Sequence, residues 1–438
     1  MLHKNFGYKA VMVGENTGDY PYLERLPGLE MDFIPNSNGD LEVFVLNSVN
    51  YINQNYQKID ILIMRGLYPA TCIILQTYKQ KRPDGKVYLY LDANKYWMDN
   101  IQWEEPLVFN TLALSDVIST SCYKMTEYLN KKWPPFIVEH IPNGFFNASG
   151  KPIIKYVKEN IILTVSRIGT SQKANNILLL AFAMVANNIP NWKVHLAGPV
   201  EAKFSEFTEP YFKNFPQLKK RVKFLGNITD KGKLYAEYAK SKIFALTSVM
   251  EGGAPNVVAE ALFHGCYTIT SDVDAANDIT DNEKCGRIFS INDHNALSKI
   301  LLKVCTNKKL LQEAPQKSVE FAKSHYDWDL LINRINHLMN NMPTHNKDGE
   351  LKVLWQQTAE KLANIETASK EELSQIIGDL SYLEKLAAKL FSEIQDTDLK
   401  YKLNKIKEKV LNILYSSPSP QIKRDILEIA AQITLGSP

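Results

Sequence analysis

Residues 242–271 read KIFALTSVMEGGAPNVVAEALFHGCYTITS. The apolar run Ile243 to Leu246 predicts a buried strand, and Glu251, Gly252, Gly253 and Pro255 predict a tight polar loop. A helix follows, ending near Gly265, and then a second apolar strand over residues 266–270. Two apolar strands joined through a helix make a parallel unit. A glycine loop opening onto a helix leaves the first N–H groups of that helix without intrahelical partners, at the positive end of its dipole, where phosphates and polar rings bind. Glu251 before the glycines and Glu260 inside the helix add two carboxylates, so the expected ligand carries hydroxyl groups as well as negative charge.

The same alternation of strand and helix extends in both directions. Toward the N-terminus a helix end turns at Gly7 into a strand over 9–13, followed by helices over 41–55, 68–79, 106–114 and 123–132 and strands over 59–64, 87–91, 117–120 and 136–139. Ligands of such parallel sheets bind beyond the carboxyl ends of the strands. The segment DANKYWMDNIQW after Leu91 falls there, and its Asp92, Asn94, Tyr96 and Trp97 combine hydrogen-bonding groups with flat rings suited to sugars. The run IPNGFFNASGK over 141–151 carries turn signals and marks a linker. A strand over 161–165 then leads into a polar loop with Arg167 and Lys173 at its ends and a helix from about Ala174; a cation pair so placed can hold a diphosphate. Strands over 192–196 and 222–225 follow, the second ending in the turn that contains Asn227 and Ile228, and Asp293 reads as a helix N-cap.

The central stretch resembles the acidic donor-binding motif of retaining GT-B glycosyltransferases of family 4, the glycosyl transferases group 1 type. That resemblance implies a fold of two Rossmann-like domains facing a cleft. It gives Glu251 the donor sugar and Glu260 the nucleotide ribose, places Gly252, Gly253, Ala254, Pro255 and Asn256 along the donor, sets the backbone of Asn227 and Ile228 against the base, and has Arg167 and Lys173 stabilise the departing diphosphate. Three departures stand out. Eight residues, GGAPNVVA, separate the two acids where the family has seven; Ser166 and Ala174 replace glycines flanking the cationic loop; and that loop is one residue longer. The resemblance also implies that the strand over 9–13 is the family's second, so that the N-terminal domain lacks its first strand and Gly-rich loop. The domains read as 1–150, an acceptor-side Rossmann-like domain; 151–345, a nucleotide-sugar-binding Rossmann-like domain ending in a return helix; and 346–438, an α-helical bundle.

The implied reaction moves a sugar from a nucleotide sugar to a glycan, lipid-linked or protein acceptor with retention at the anomeric carbon, without metal or cofactor. Two rivals are a nucleotide-sugar epimerase of the same fold and a non-catalytic scaffold with a degenerate GT-B fold. The 438 residues carry a net charge of only +3, which gives no reason to expect nucleic acid as a partner. Five scattered cysteines, Cys72, Cys122, Cys266, Cys285 and Cys305, lack the spacing of a zinc site and fit a reduced cytosolic protein. No apolar run reaches the roughly 20 residues of a membrane span. The expected place is the cytoplasm, with the inner membrane face as an alternative station. Mixed charge in the C-terminal helices favours an oligomerisation or docking appendage over a membrane-surface helix.

Overall fold

The computed structural model describes residues 2–18, 20, 26, 28–92, 94–133, 136–147 and 157–341, and in the C-terminal stretch 355, 358–365, 367–369, 372–373, 376–377, 379–380, 383, 402–403, 405–410 and 420–431. It divides into two compact units, Met1–Asn340 and Asn341–Pro438.

In the first unit, α1 (Leu2–Phe6) turns at Gly7, φ 72°, into β1 (Ala10–Glu15), which pairs in parallel with β2 (Leu29–Ile34). After α2 (Leu41–Asn55), capped by the Asp40 carboxylate, come β3 (Ile61–Arg65), α3 (Pro69–Lys81), β4 (Lys86–Leu91), α4 (Lys95–Asp99), α5 (Pro106–Leu114), β5 (Val117–Thr120), α6 (Tyr123–Lys132) and β6 (Val138–His140). The strands β3, β4, β5 and β6 pair in that order, all parallel, so among the described residues this lobe has two separate parallel sets. The split has a visible cost. Val11, Met12 and Val13 of β1 are three successive apolar residues, a pattern suited to a strand covered on both faces, yet they stand 39%, 42% and 41% exposed. Where the resemblance implied a sheet short of its first strand, the paired β1 and β2 stand apart from the rest. The sequence pattern gives no strand signal at β2, because Glu30 and Asp32 interrupt its apolar run.

The second lobe of this unit is more regular. Its elements are β7 (Glu159–Val165), α7 (Asn175–Val185), β8 (Lys193–Ala197), α8 (Ser205–Asn214), β9 (Val222–Gly226), α9 (Lys231–Lys240), β10 (Ser241–Leu246), α10 (Asn256–Phe263), β11 (Tyr267–Ser271), α11 (Ala276–Thr280) and β12 (Gly286–Phe289). All pairings are parallel in the order β12-β11-β10-β7-β8-β9. The chain therefore runs outward from β7 in one direction, returns, and runs outward from β10 in the other. Loops leaving these two adjacent strands diverge, and the crevice between them is where ligands of such sheets bind. Ile162, Leu178, Phe182, Val194 and Ile243 fill the core on one face, all fully buried.

Three helices close the unit: α12 (His294–Thr306), N-capped by Asp293 as read from the sequence, α13 (Lys308–His325) and α14 (Trp328–Asn341). The last of these crosses back to the first lobe. Arg334 bonds the Glu139 carboxylate at 2.7 Å and the His140 carbonyl at 2.8 Å, and Tyr8 donates to Asn336 at 3.1 Å. Beside this junction His140 Nε2 is buried without a partner, 3.8 Å from Asp278, too far for a hydrogen bond.

In the second unit most of the described residues are helical, with no strand among them. Ser369 and Glu372 form a capping box, the Ser369 N–H bonding the Glu372 carboxylate at 2.7 Å and the Glu372 N–H bonding the Ser369 hydroxyl at 3.2 Å. Leu362, Leu380, Ile406 and Ile426 are fully buried, and a helix spans Pro420–Ala431. The sequence predicts breaks between the helices of this unit at 396–398 and at SSPSP over 416–420; the first and most of the second lie outside the described residues. Among the described residues of the whole chain, no helix is long and apolar enough to cross a membrane.

Two outcomes follow for stability. Ile162→Ala, in the middle of the larger sheet, is expected to cost about 2–5 kcal/mol in chemical denaturation, whereas Met12→Lys should stay within about 0.5 kcal/mol. Burial, and then the Arg334 charge, push the His140 imidazole down from its ordinary 6.5 to about 4. Between those values the unfolded chain binds a proton that the folded chain refuses, so this residue's contribution is intact above pH 6.5 and is lost as pH falls toward 4. Denaturation midpoints should drop more steeply over that window in the wild type than in His140→Gln.

Candidate functional site

The site is built from the two loops that diverge at the strand reversal. After β7, residues 166–174 form a compact turn held from inside by Asn175, which is 1% exposed. Its amide oxygen accepts the Gly169 N–H at 2.8 Å, and its amide nitrogen donates to the Ser166 hydroxyl at 3.2 Å. Ala174 enters α7 in the left-handed region, φ 42° and ψ 45°. That is the conformation a glycine adopts without strain, so the family's usual glycine here has a physical reason, and Ala174 keeps the geometry at a cost of about 1–3 kcal/mol. Burial of its methyl in the core offsets part of this.

The second loop, 247–255, is tied to the first through Gln172. The Gln172 carbonyl accepts the Val249 N–H at 2.9 Å, its amide nitrogen donates to the Met250 carbonyl at 3.2 Å, and its amide oxygen accepts from Arg167 at 2.7 Å. The Thr247 hydroxyl adds a bond to the Lys173 carbonyl at 2.9 Å. With the backbones joined, Lys173 Nζ meets Glu251 Oε1 at 2.5 Å, the two side chains only 15% and 9% exposed. Thus the structure brings Arg167, Lys173 and Glu251 into one neighbourhood, with Arg167 the exposed member.

Glu260 lies on α10 and is engaged differently. Lys231, the first residue of α9, bonds its Oε1 at 2.8 Å, and the hydroxyl of the fully buried Tyr238 bonds its Oε2 at 2.9 Å. Burial, and then the Glu260 charge, hold the Tyr238 phenol well above its ordinary range, so it stays protonated and donates to the carboxylate. Asn227 is exposed and Ile228 half-buried, just beyond β9.

The glycine turn meets the first lobe directly. A Cβ built on Gly253, whose φ is 137°, would stand 1.9 Å from the Ser121 hydroxyl at the end of β5; one on Gly252 would stand 3.2 Å from Asp92 Oδ1. The Ala254 N–H points at the Ser121 hydroxyl, 3.3 Å away, and Asn143 donates to the Ala254 carbonyl at 2.8 Å. In this arrangement Ala254 therefore spends its amide on the neighbouring lobe, although the sequence had assigned it to a ligand. Pro255 occupies the N-cap position of α10 and Asn256 begins the helix. Of the acceptor-side candidates, Asp92 pairs with Arg65, and Asn94 serves as the N-cap of α4, accepting the Trp97 N–H at 2.9 Å. Tyr96 and Trp97 are exposed, 72% and 48%, and Trp97 meets Tyr68 edge-on at 6.0 Å. Sequence reading missed Gln172, Asn175, Lys231, Tyr238 and Ser121; each is a polar residue in an otherwise ordinary local pattern, recognisable only by a partner distant in the chain.

Two lobes of parallel sheet, a return helix and a glycine turn at the strand reversal define the GT-B fold. Comparison with known proteins agrees. Residues 159–307 match the family model described as glycosyl transferases group 1. The fold of the chain is GT-B, and its residues 159–307 are similar to the glycosyl transferases group 1 family. Among curated proteins it is 30% identical over 186 residues to the GalNAc-alpha-(1->4)-GalNAc-alpha-(1->3)-diNAcBac-PP-undecaprenol alpha-1,4-N-acetyl-D-galactosaminyltransferase of Campylobacter jejuni, covering 40% of this chain and 49% of that protein. The match thus spans about half the length of that curated relative. Among solved structures, sucrose-phosphate synthase from Thermosynechococcus elongatus superposes with a TM-score of 0.59 at 17% identity, covering 76% of this chain and 88% of the other. The Anabaena protein HepE, in complex with UDP and glucose, gives 0.59 at 14% identity over 77% and 93%. At these identities the likeness is one of fold.

The seating of the glycine turn can be tested. Gly253→Ala is expected to destabilise the unit by about 1–3 kcal/mol, because a side chain would have both a strained φ and a collision with Ser121. Gly252→Ala, which needs Asp92 to give only a few tenths of an ångström, should cost clearly less in the same denaturation experiment.

Proposed function

We propose that this protein transfers a sugar from a nucleotide-sugar donor to an acceptor hydroxyl with retention of anomeric configuration. The observation that carries the reading is the convergence of Arg167, Lys173 and Glu251 at the β7–β10 strand reversal, inside the segment that matches the glycosyl transferases group 1 model.

In the proposed step the bond from the anomeric carbon to the diphosphate oxygen breaks while a bond from the acceptor oxygen forms on the same face. The acceptor proton passes to the departing phosphate, so no protein base is required. Negative charge growing on the diphosphate is met by the Arg167 guanidinium and the Lys173 ammonium, fixed before reaction by Gln172 and Glu251. Lysine has three N–H donors, and the bond to Glu251 uses one, leaving others for phosphate. Glu251 in turn keeps Oε2 for a hydroxyl of the donor sugar. With two cations in these roles the reaction needs no metal. Asp92, Asn94, Tyr96 and Trp97, beyond β4 of the first lobe, are the proposed acceptor side, and the domain limits near 150 and 345 separate acceptor lobe, donor lobe and helical appendage. The name of the Campylobacter relative makes a lipid-linked glycan the first acceptor class to try, and the UDP of the HepE complex makes uridine the first base.

The test is turnover of a panel of UDP, GDP, ADP and CMP sugars by the full chain. Arg167→Ala should lower kcat about 100- to 1,000-fold with the denaturation midpoint unchanged; Lys173→Ala should lower kcat similarly and also lower the midpoint, because it leaves Glu251 buried without its cation; and chelator should leave the wild-type rate as it was. Donor binding without hydrolysis or transfer for any acceptor would favour the scaffold reading, and unchanged turnover in both variants would remove these residues from the mechanism.

A further inference from the structure

We propose that the first lobe competes with the donor for the glycine turn: the Ser121 hydroxyl takes the position on the Ala254 N–H that a donor oxygen would take, so the contact between the lobes is self-inhibitory. The inference rests on the transferase reading and adds to it a control on donor entry at the same site.

A backbone amide carries a single N–H donor. That of Ala254 is turned toward Ser121 Oγ at 3.3 Å, and the Ala254 carbonyl accepts from the Asn143 amide at 2.8 Å, so both backbone groups of this residue are directed at the first lobe. Asn143 is held in turn by the Tyr90 hydroxyl, which donates to its amide oxygen at 2.8 Å. The space between the partners is closed. Ala254 is 2% exposed and Ser121 1%, and one carbon atom added to Gly253 would stand 1.9 Å from the Ser121 hydroxyl. A donor oxygen can reach that N–H only if Ser121 withdraws. The bond it replaces is long and joins two uncharged groups, whereas a phosphate oxygen would form a shorter, charge-assisted one. The exchange therefore favours the donor, less the cost of releasing the first lobe.

Ser121 is not the lobe's only hold. In the segment after β11, Asp274 accepts the Lys95 N–H at 3.3 Å with one oxygen and meets Lys124 Nζ at 3.3 Å with the other, and Asp278 accepts the Tyr123 N–H at 2.6 Å. Lys95 and Tyr123 begin α4 and α6, so two carboxylates of the second lobe sit at the positive ends of two helices of the first. The N-cap residue of α6, Cys122, makes no side-chain cap of its own, and Asp278 supplies one from across the junction. These bonds hold the same lobe against the same turn. Weakening one of them must therefore help the donor too, because its apparent affinity is the intrinsic one reduced by the fraction of molecules in which the turn is released.

The experiment is calorimetric titration of the full chain with UDP-glucose, GDP-mannose and ADP-glucose, alongside chemical denaturation. Ser121→Ala should bind the preferred donor about 3- to 10-fold more tightly than the wild type, the effect of removing one competing neutral hydrogen bond. Asp274→Ala, whose lost bonds go to Lys95 and Lys124, should tighten binding about two- to fivefold. Both should have lower denaturation midpoints, so that donor affinity rises as stability falls; a purely structural role would lower the midpoint and leave the affinity unchanged or weaker. Either folded variant binding no more tightly than the wild type would overturn this inference while leaving the donor site standing, and if Ser121→Ala does not fold, Asp274→Ala decides alone. Failure of the wild type to bind any of the three nucleotide sugars would overturn it together with the transferase reading.

Discussion

The constraint on which the rest depends is the reversal of strand order between β7 and β10. Neighbouring parallel strands whose following connections leave in opposite directions cannot cover their own carboxyl ends, so an opening remains there by topology alone. The chain lines this opening with two polar loops and joins them through Gln172, which bonds the second loop with both its carbonyl and its amide. That bridge makes the loops one object. It sets the distance at which Lys173 and Glu251 meet and gives Arg167 a fixed partner at the rim.

Charge is handled differently at the two acids. Lys173 and Glu251 neutralise each other in a position with little solvent, an arrangement whose net contribution to stability is small because desolvation of both ions opposes their attraction. Its value lies in placement: each partner holds the other in one geometry with spare hydrogen-bonding capacity. Glu260 has a cation and a buried phenol instead, and its surroundings are aromatic, with Tyr235, Tyr238 and His264 packed together behind it. The first lobe completes the wall. Because Gly253 has no side chain, Ser121 can approach its backbone, and the glycines are thus required for the contact between lobes as well as for the turn.

Much of this was legible in the chain itself. The unbroken apolar strands of the second lobe, the Asp293 cap, the turn at Gly7 and the return helix all rest on local patterns, and those patterns agreed with their surroundings. Arg167, Lys173, Glu251 and Glu260 were singled out by a resemblance whose spacing departs from the family's by one residue, and the structure brings the first three into one neighbourhood. The strand β2 escaped notice because its two carboxylates break the apolar run, and α8 because SEFTEPYFKN carries a proline within it. Asn94, an acceptor-side candidate, also caps α4 with its side-chain oxygen, a role open to any asparagine ahead of a short helical turn.

What the sequence determined by itself was the alternation of parallel strands and helices, the glycine turn, and the identity of the charged groups, because periodicity, backbone freedom and side-chain chemistry are properties of neighbouring residues. The tertiary structure alone decided which groups meet. Lys173 finds Glu251 across 78 positions, Ser121 finds Ala254 across 133, and Lys231 and Tyr238 converge on one carboxylate from opposite ends of a helix. A hydrogen bond depends on position in space to within a few tenths of an ångström, and that position is fixed by the order in which strands pair and by the packing beneath them.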